Sequence, residues 1–299
     1  MLIIPIREHT FSLAQKFLEA NEEKCVFLSS LVRRHSKDLY FVLDLQDNDI
    51  NCLSQSEIFP VYNQIIGVFY LHNTLFHFFS DIDVLENPLF EKKFTDFIVS
   101  NNLKIKCISG ETQSSQKLLK VIAGVGGKMP YQINNYKLMS LKKSDKNNLS
   151  ASNLLFNDDE IIRCTQNDFD SLFLLEQKYM IEEVLPVGRN ITQIEVSVSL
   201  KQILKNQLCL ALLSDGEIVS KANTNAIGQN WIQLGGIYTL PQFRQNGYAK
   251  QTVSALCRRI FNAGKNVVLF VKEKNLPAKA LYNSLGFAEA GDYCIGYFN

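Results

Sequence analysis

Apolar residues along the chain fall into two rhythms, short dense runs and helical repeats, and their order predicts the elements. Residues 231–239, WIQLGGIYT, form an apolar run with turn-type borders, which predicts a buried strand. Gly235 and Gly236 inside it predict a bulge or the close approach of another backbone. Pro241 ends strand pairing, and Ala249, Val253, Leu256 and Ile260 then recur at helical spacing. Upstream, 208–213 and 217–223 flank Asp215-Gly216 as a hairpin, and a second turn at Gly228-Gln229-Asn230 leads into the central strand. Downstream, Gly264 stops the helix and 266–271 gives a strand predicted to run parallel to 231–239, because a helix crosses between them. A last helix is expected from Asn275 to Gly286 with Phe287 packing back, then a strand at 293–298.

The first half has a pattern of its own. It predicts a strand at 2–4, helices at 10–19 and 22–34, a strand at 39–45, and strands 64–71 and 75–80 around His72-Asn73. A helix near 90–99, a strand at 104–109, a helix near 115–123 and a strand near 131–141 follow. The second half opens similarly, with a strand at 161–164 and helices at 167–180 and 197–204. The expected fold is therefore α/β (α+β): two domains, each a mixed, mostly antiparallel sheet flanked by helices. Their expected limits are 1–141 and 153–299, joined by the polar linker 142–152.

The turn between the central strand and its helix carries the candidate chemistry. Arg244-Gln245-Asn246-Gly247-Tyr248-Ala249 aims unpaired backbone N–H groups and the positive end of a helix dipole at one point, which suits a pyrophosphate. Gly247 admits a backbone conformation closed to other residues, Ala249 stays small, and Arg244 and Lys250 add charge. Gly124-Val125-Gly126-Gly127-Lys128 lacks the spacing of a P-loop and reads as a helix stop.

Composition narrows the classes. The 299 residues are 46% hydrophobic and 20% charged with net charge +1, which offers no footprint for nucleic acid or an acidic membrane. The opening MLIIPIREH is interrupted by Arg7 and Glu8, no run approaches the ~20 residues of a membrane span, and the expectation is cytoplasmic. Seven scattered cysteines read as reduced core thiols, and the four histidines, His9, His35, His72 and His77, form no ligand pattern, so no metal is expected. Charge is nonetheless uneven. Between Glu217 and Glu273 there is no acid, while Lys221, Arg244, Lys250, Arg258, Arg259, Lys265 and Lys272 are basic, which favours a local polyanionic ligand.

Together GIYTLPQFRQNGYAKQTVSAL and NLPAKALYNSLGF resemble the GNAT superfamily of N-acetyltransferases, especially its glycine-N-acyltransferase-like branch, over roughly residues 160–299. Arg244, Gly247 and Ala249 match R/Q-x-x-G-x-G/A, and Asn275, Tyr282, Leu285, Gly286 and Phe287 match the second motif. The resemblance implies transfer of an acetyl or other acyl group from acyl-CoA to a primary amine. It implies pyrophosphate held by Arg244, Gln245, Asn246, Gly247, Tyr248, Ala249 and Lys250, and a pantetheine arm paired with Ile237, Tyr238 and Thr239, with Asn275 beside them. It makes Tyr282 the acid that protonates the leaving thiolate. The family's glutamate on the central strand is replaced by Gln233, so that role does not transfer, and the candidate bases are Glu182 and Glu183, a water relay, or a group from the first domain. The other readings are a non-catalytic acyl-CoA-binding regulator and a protein-interaction module on a fold that no longer binds CoA.

The repeated order of elements further suggests that the first half is a degenerate copy. Where its R-x-x-G-x-A turn belongs stands DIDVLENPLFEKK, and Asp81, Asp83 and Glu86 there would repel a phosphate. That domain is expected to shape the acceptor site or a homodimer.

Overall fold

The computed structural model describes residues 1–44, 62–126, 129–145 and 160–298. The end of the strand expected at 39–45, most of the linker expected at 142–152, and Gly127-Lys128 lie outside them. The chain has a mixed, mostly antiparallel sheet architecture flanked by helices, in two compact units: Met1–Tyr136 with Gly291–Asn299, and Lys137–Ala290.

The first unit contains β1 (Leu2–Pro5), α1 (Phe11–Glu19), α2 (Glu22–Arg33), β2 (Leu39–Leu43), β3 (Ile65–Leu71), β4 (Thr74–Phe79), α3 (Pro88–Ser100), β5 (Cys107–Glu111), α4 (Thr112–Gly126) and the start of β6 (Gln132–Leu141). Strands β1 to β4 are antiparallel neighbours, and β4 then runs parallel to β5 through Thr74↔Cys107 and Phe76↔Ser109. Strand alternation sends Leu39, Phe41 and Val68 to a core with α1 and α2, and Val42, Phe69 and Leu71 to a second core with Phe90, Phe94 and Leu118. The sheet is completed from the far end of the chain. The part of β12 (Ala288–Tyr297) from Tyr293 onward pairs antiparallel with β5, and the Tyr293 hydroxyl hydrogen-bonds Ser109 Oγ at 3.0 Å.

The second unit contains β7 (Ile161–Arg163), α5 (Phe169–Tyr179), α6 (Gln193–Asn206), β8 (Cys209–Ser214), β9 (Glu217–Ile227), β10 (Trp231–Thr239), α7 (Tyr248–Asn262), β11 (Asn266–Lys272) and α8 (Leu276–Ser284). Strands β7 to β10 form an antiparallel meander, β10 pairs parallel with β11, and β6 from Lys137 lies beyond β11. Helix α6 starts earlier than its apolar spacing predicts. Thr192 and Glu195 form a capping box there, with each side chain receiving the other's backbone N–H.

The predicted irregularity in β10 is a bulge. Pairing with β9 shifts between Gly235↔Asn223 and Tyr238↔Lys221, and Gly236 sits at φ +59°. A Cβ on Gly236 would lie 1.8 Å from Asn223 Oδ1, so only glycine fits. One extra residue reverses the alternation. Before the bulge Ile232 and Leu234 face the α7 core; after it Ile237 faces that side, and Tyr238 and Leu240 pack with Leu172 and Leu200 of α5 and α6.

Removing residues 291–299 should strip β5 of its antiparallel neighbour. Hydrogen exchange should then show loss of protection in β4 and β5, with the β8–β9–β10 amides still protected. Unchanged protection of β5 would contradict this assignment of the last strand.

Candidate active site

The site lies where β10 and β11 part. Their pairing runs through Trp231↔Asn266, Ile232↔Val267 and Gln233↔Val268 and goes no further, although β10 continues to Thr239 and β11 to Lys272. Beyond the third pair the strands diverge, which leaves the edge of Ile237, Tyr238 and Thr239 facing a wedge.

The turn after β10 is open at its tip. A short 3₁₀ turn, Pro241–Phe243, is followed by Gln245 at φ 68° and by Gly247 at φ 79° as the cap of α7. No side chain caps this helix, and no acid lies in its first turn. Gln251 is the first residue whose N–H closes back, on Gly247 O at 3.1 Å, so the N–H groups of the preceding turn remain available. A Cβ at Gly247 would meet nothing within 4 Å; the positive φ requires glycine, and the space above it is free. The donor set, the dipole and the clearance fit an anionic group such as pyrophosphate. Lys250 beside it has no ion-pair partner among the described residues. Asn246 Nδ2 donates to Phe243 O at 3.3 Å, the Tyr248 hydroxyl meets Ser214 Oγ at 3.3 Å, and Ala249 stays small.

Arg244 anchors the neck of the turn. Its Nε donates to Thr239 O at 3.1 Å and its Nη2 to Glu182 Oε2 at 2.9 Å, and its guanidinium lies 5.2 Å from the Tyr238 ring centroid. Glu182 and Glu183 come from a single π-turn, Met180–Val184, which continues α5. Glu182 also accepts from the Tyr238 hydroxyl, while Lys272 at the end of β11 donates to Glu182 O at 2.7 Å and pairs with Glu183 at 3.4 Å. Asn275 caps α8 by accepting from Ala278 N at 3.2 Å, and its Nδ2 donates to Glu183 at 3.3 Å. The turn thus ties the Tyr238–Arg244 side of the wedge to the Lys272–Asn275 side.

These contacts set protonation. Partial burial works to raise the Glu182 carboxyl, but hydrogen bonds from Tyr238 and Arg244 and the guanidinium charge outweigh it and hold it below the ordinary range. Tyr238 is pushed up to about 12, first by burial and then by its bond to Glu182, so the shared proton stays on the phenol. Tyr282, on α8, is buried against the α7 core and its ring lies 5.8 Å from that of Phe287. Burial first, then Tyr179, Glu183 and Cys257, raise its pKa well above that of a free phenol.

Beneath the bulge lies a cluster that sequence patterning misses. Lys221 is 0% exposed and pairs with Glu176, 1% exposed, at 2.8 Å. Its ammonium also donates to Gly236 O at 2.9 Å and Asn223 Oδ1 at 3.3 Å, and sits 5.1 Å from the Tyr179 ring centroid. Ser199 Oγ donates to Glu176 at 3.0 Å. Tyr179, pushed up to about 12 mainly by burial, hydrogen-bonds the Gly236 backbone. Lys221 is therefore withdrawn from the basic set expected to attract a polyanion. Lys265 is likewise occupied, donating to the Gly228 and Gln229 carbonyls, and Arg258 donates to Ser254 Oγ. A signal for the cluster was present: Glu176 follows Leu172 by one helical turn on the apolar face of α5, and an acid there requires a buried partner.

The mixed, mostly antiparallel fold matches that of solved structures described as GNAT-family acetyltransferases. An acetyltransferase of the GNAT family from Colwellia psychrerythraea matches over 100% of both chains at 11% identity with a TM-score of 0.50. A GCN5-related N-acetyltransferase from Kribbella flavida covers 78% of this chain and 87% of its own at 12% identity and 0.50. A Drosophila protein covers 99% and 98% at 10% identity with a TM-score of 0.65. In sequence, the family described as FR47-like protein matches residues 215–295, which span the bulge, the turn and α8. No curated protein matches the chain. Among the described residues no helix is long and apolar enough to cross a membrane, and no cluster of His, Cys, Asp or Glu is set to hold a metal ion.

Replacing Lys221 by Met leaves Glu176 charged and unpaired in the core, which should cost about 3–5 kcal/mol in urea denaturation. Lys221→Met combined with Glu176→Leu should recover most of that loss. A single-variant cost under about 1 kcal/mol would show that the pair is not desolvated as described.

Proposed function

We propose that the second unit is an acyl-CoA-dependent N-acyltransferase, with acetyl-CoA as donor and a primary amine as acceptor. One observation carries this reading: an uncapped helix start on left-handed Gly247 stands beside the wedge between β10 and β11, within a GNAT fold. The pyrophosphate would take the N–H groups of the Gln245 to Lys250 turn with Arg244 and Lys250. The pantetheine amides would pair along Ile237, Tyr238 and Thr239, and Asn275 would line the opposite side.

In the reaction the amine nitrogen attacks the thioester carbonyl, the carbon–sulfur bond breaks, and the thiolate leaves. A backbone N–H at Tyr238 or its neighbour polarises the carbonyl oxygen as charge develops. Tyr282 gives its proton to the thiolate. Its high pKa keeps that proton in place at neutral pH, and no hydrogen bond to another described residue competes for it. The proton released by the amine passes to Glu183 or to water. Glu182, held ionised by Arg244 and Tyr238, is a weak base and serves as a fixed charge.

The chain as a whole reads as a tandem, with residues 1–141 a copy that has lost its donor site, 142–152 a linker, and 153–299 the transferase domain. Both units carry the same order of antiparallel strands followed by a parallel pair that stops after three residue pairs. In the first unit the chemistry is gone. Asn87 caps α3 by accepting from Leu89 N at 2.9 Å, Pro88 removes a donor, and Lys117 is taken by Glu86 at 3.0 Å. The alternative, a non-catalytic acyl-CoA-binding regulator, draws on the depressed pKa of Glu182 and the absence of a carboxylate from β10.

Calorimetric titration with acetyl-CoA should give micromolar binding to the parent and none to Gly247→Glu, which strains the turn and sets a carboxylate against the phosphates. No binding to either overturns the reading. Tyr282→Phe should keep acetyl-CoA affinity and lose about 10²–10⁴-fold in amine-dependent thiol release. Because burial raises the Tyr282 pKa, its ionisation should produce no alkaline fall in rate below about pH 10. Binding without thiol release from any amine would favour the regulator.

A further inference from the structure

Arg244 has two claimants. On the reading above it receives the donor's pyrophosphate, yet in the chain alone its outer nitrogen is bound to Glu182, a carboxylate from an element 62 positions earlier in sequence. We infer that Glu182 is an internal stand-in for the donor's phosphate, so that donor binding exchanges one anion for another on Arg244; this rests on the acyl-CoA reading.

The geometry makes the exchange feasible. Arg244 is fixed from behind by its Nε bond to Thr239 O, so its guanidinium need not move when the partner changes. Glu182 has a second anchor in the Tyr238 hydroxyl and a third in the bond from Lys272 Nζ to its backbone oxygen, so it stays in place when Arg244 is withdrawn. The Arg244–Glu182 pair is 46% and 40% exposed, the kind of ion pair that water screens and that breaks at small cost. A pyrophosphate brings more charge to the same guanidinium and adds the N–H groups at the start of α7, which Glu182 does not reach.

Glu182 therefore sets donor affinity by competition. It also spares the unliganded chain an uncompensated cation at the neck of the turn. After the exchange the carboxylate is left beside Tyr238 at the mouth of the wedge without its cation, a charge that appears only in the donor complex.

The test compares the parent, Glu182→Gln and Arg244→Gln with both substitutions together, titrated calorimetrically with acetyl-CoA and with S-acetylpantetheine, which lacks the phosphates. Glu182→Gln keeps the shape and removes the competing charge. It should bind acetyl-CoA about two- to five-fold tighter, the range expected for release of an exposed ion pair. The gain should vanish in the Arg244→Gln background, and S-acetylpantetheine should bind all four proteins alike, which also reports that each is folded. Equal or weaker acetyl-CoA binding by Glu182→Gln overturns the exchange while leaving the transferase reading intact. A gain that persists without Arg244, or that appears with S-acetylpantetheine, overturns it as well. Failure of the parent to bind acetyl-CoA removes the transferase reading and this inference with it.

Discussion

The site hangs on one buried ammonium. Lys221 lies inside the second unit with no solvent contact, and a charge there is tolerable only because Glu176, Asn223 and the Gly236 carbonyl surround it. The carbonyl is the consequential partner. In a regular ladder it would be spent on a neighbouring strand; here it turns to Lys221, and the strand accommodates by the bulge at Gly236. The bulge changes which face each later residue serves. It sends Tyr238 to the side where Glu182 waits and Ile237 to the α7 core. A replacement of the ion pair by well-packed apolar residues would preserve stability but would give the carbonyl no reason to leave the ladder. The pair is better understood as a geometric device than as a source of net stability.

The two units show how little separates an open helix start from a capped one. Each has a parallel strand pair that ends after three residues and a helix that starts where the strands part. In the second unit the helix starts on glycine and its first N–H groups stay unclaimed. In the first, Asn87 claims one, Pro88 deletes another, and Glu91 sits in the first turn. The space between the strands is also used. His77 lies buried and neutral, its pKa lowered to about 3 by burial, with its ring against Gly110, where a Cβ would come within 2.3 Å, and its Nε2 on Ser115 Oγ at 2.9 Å. A side chain thus fills the space between these strands.

Local signals carried much of this into the sequence. The limits of β10, the glycine irregularity within it, the turn on Gly247 and the cap at Asn275 follow from neighbours a few residues apart, and those are the contacts that periodicity and capping rules describe. Apolar spacing alone starts α6 at 197, because it does not register the Thr192 and Glu195 box that begins the helix a turn earlier. What the sequence could not supply are pairings between remote residues. Lys221 with Glu176, Arg244 with Glu182 and Lys272 with Glu183 each join different elements, and each turns an apparently solvated charge into a structural one. The pairing of Tyr293–Tyr297 with β5 belongs to the same class: the strand is legible, and its neighbour is chosen by which sheet edge is open.

Charge balance around the wedge follows from these remote pairings. Read along the chain, 218–272 is uniformly basic. In the folded unit Lys221 and Lys272 have acids from α5 and its π-turn, Arg244 has Glu182, and Lys265 is bound to carbonyls. Of the charges at the turn itself, Lys250 alone stands without an acid among the described residues. On the acyl-CoA reading, charges so compensated would attract a polyanion weakly at a distance, because paired charges cancel and salt screens the remainder within about 10 Å. Attraction would become strong only at contact, where the backbone N–H groups of the turn and the Arg244 guanidinium would act together. Selectivity would then rest on fitting the turn, and a free phosphate of the wrong shape would gain little from the basic sequence around it.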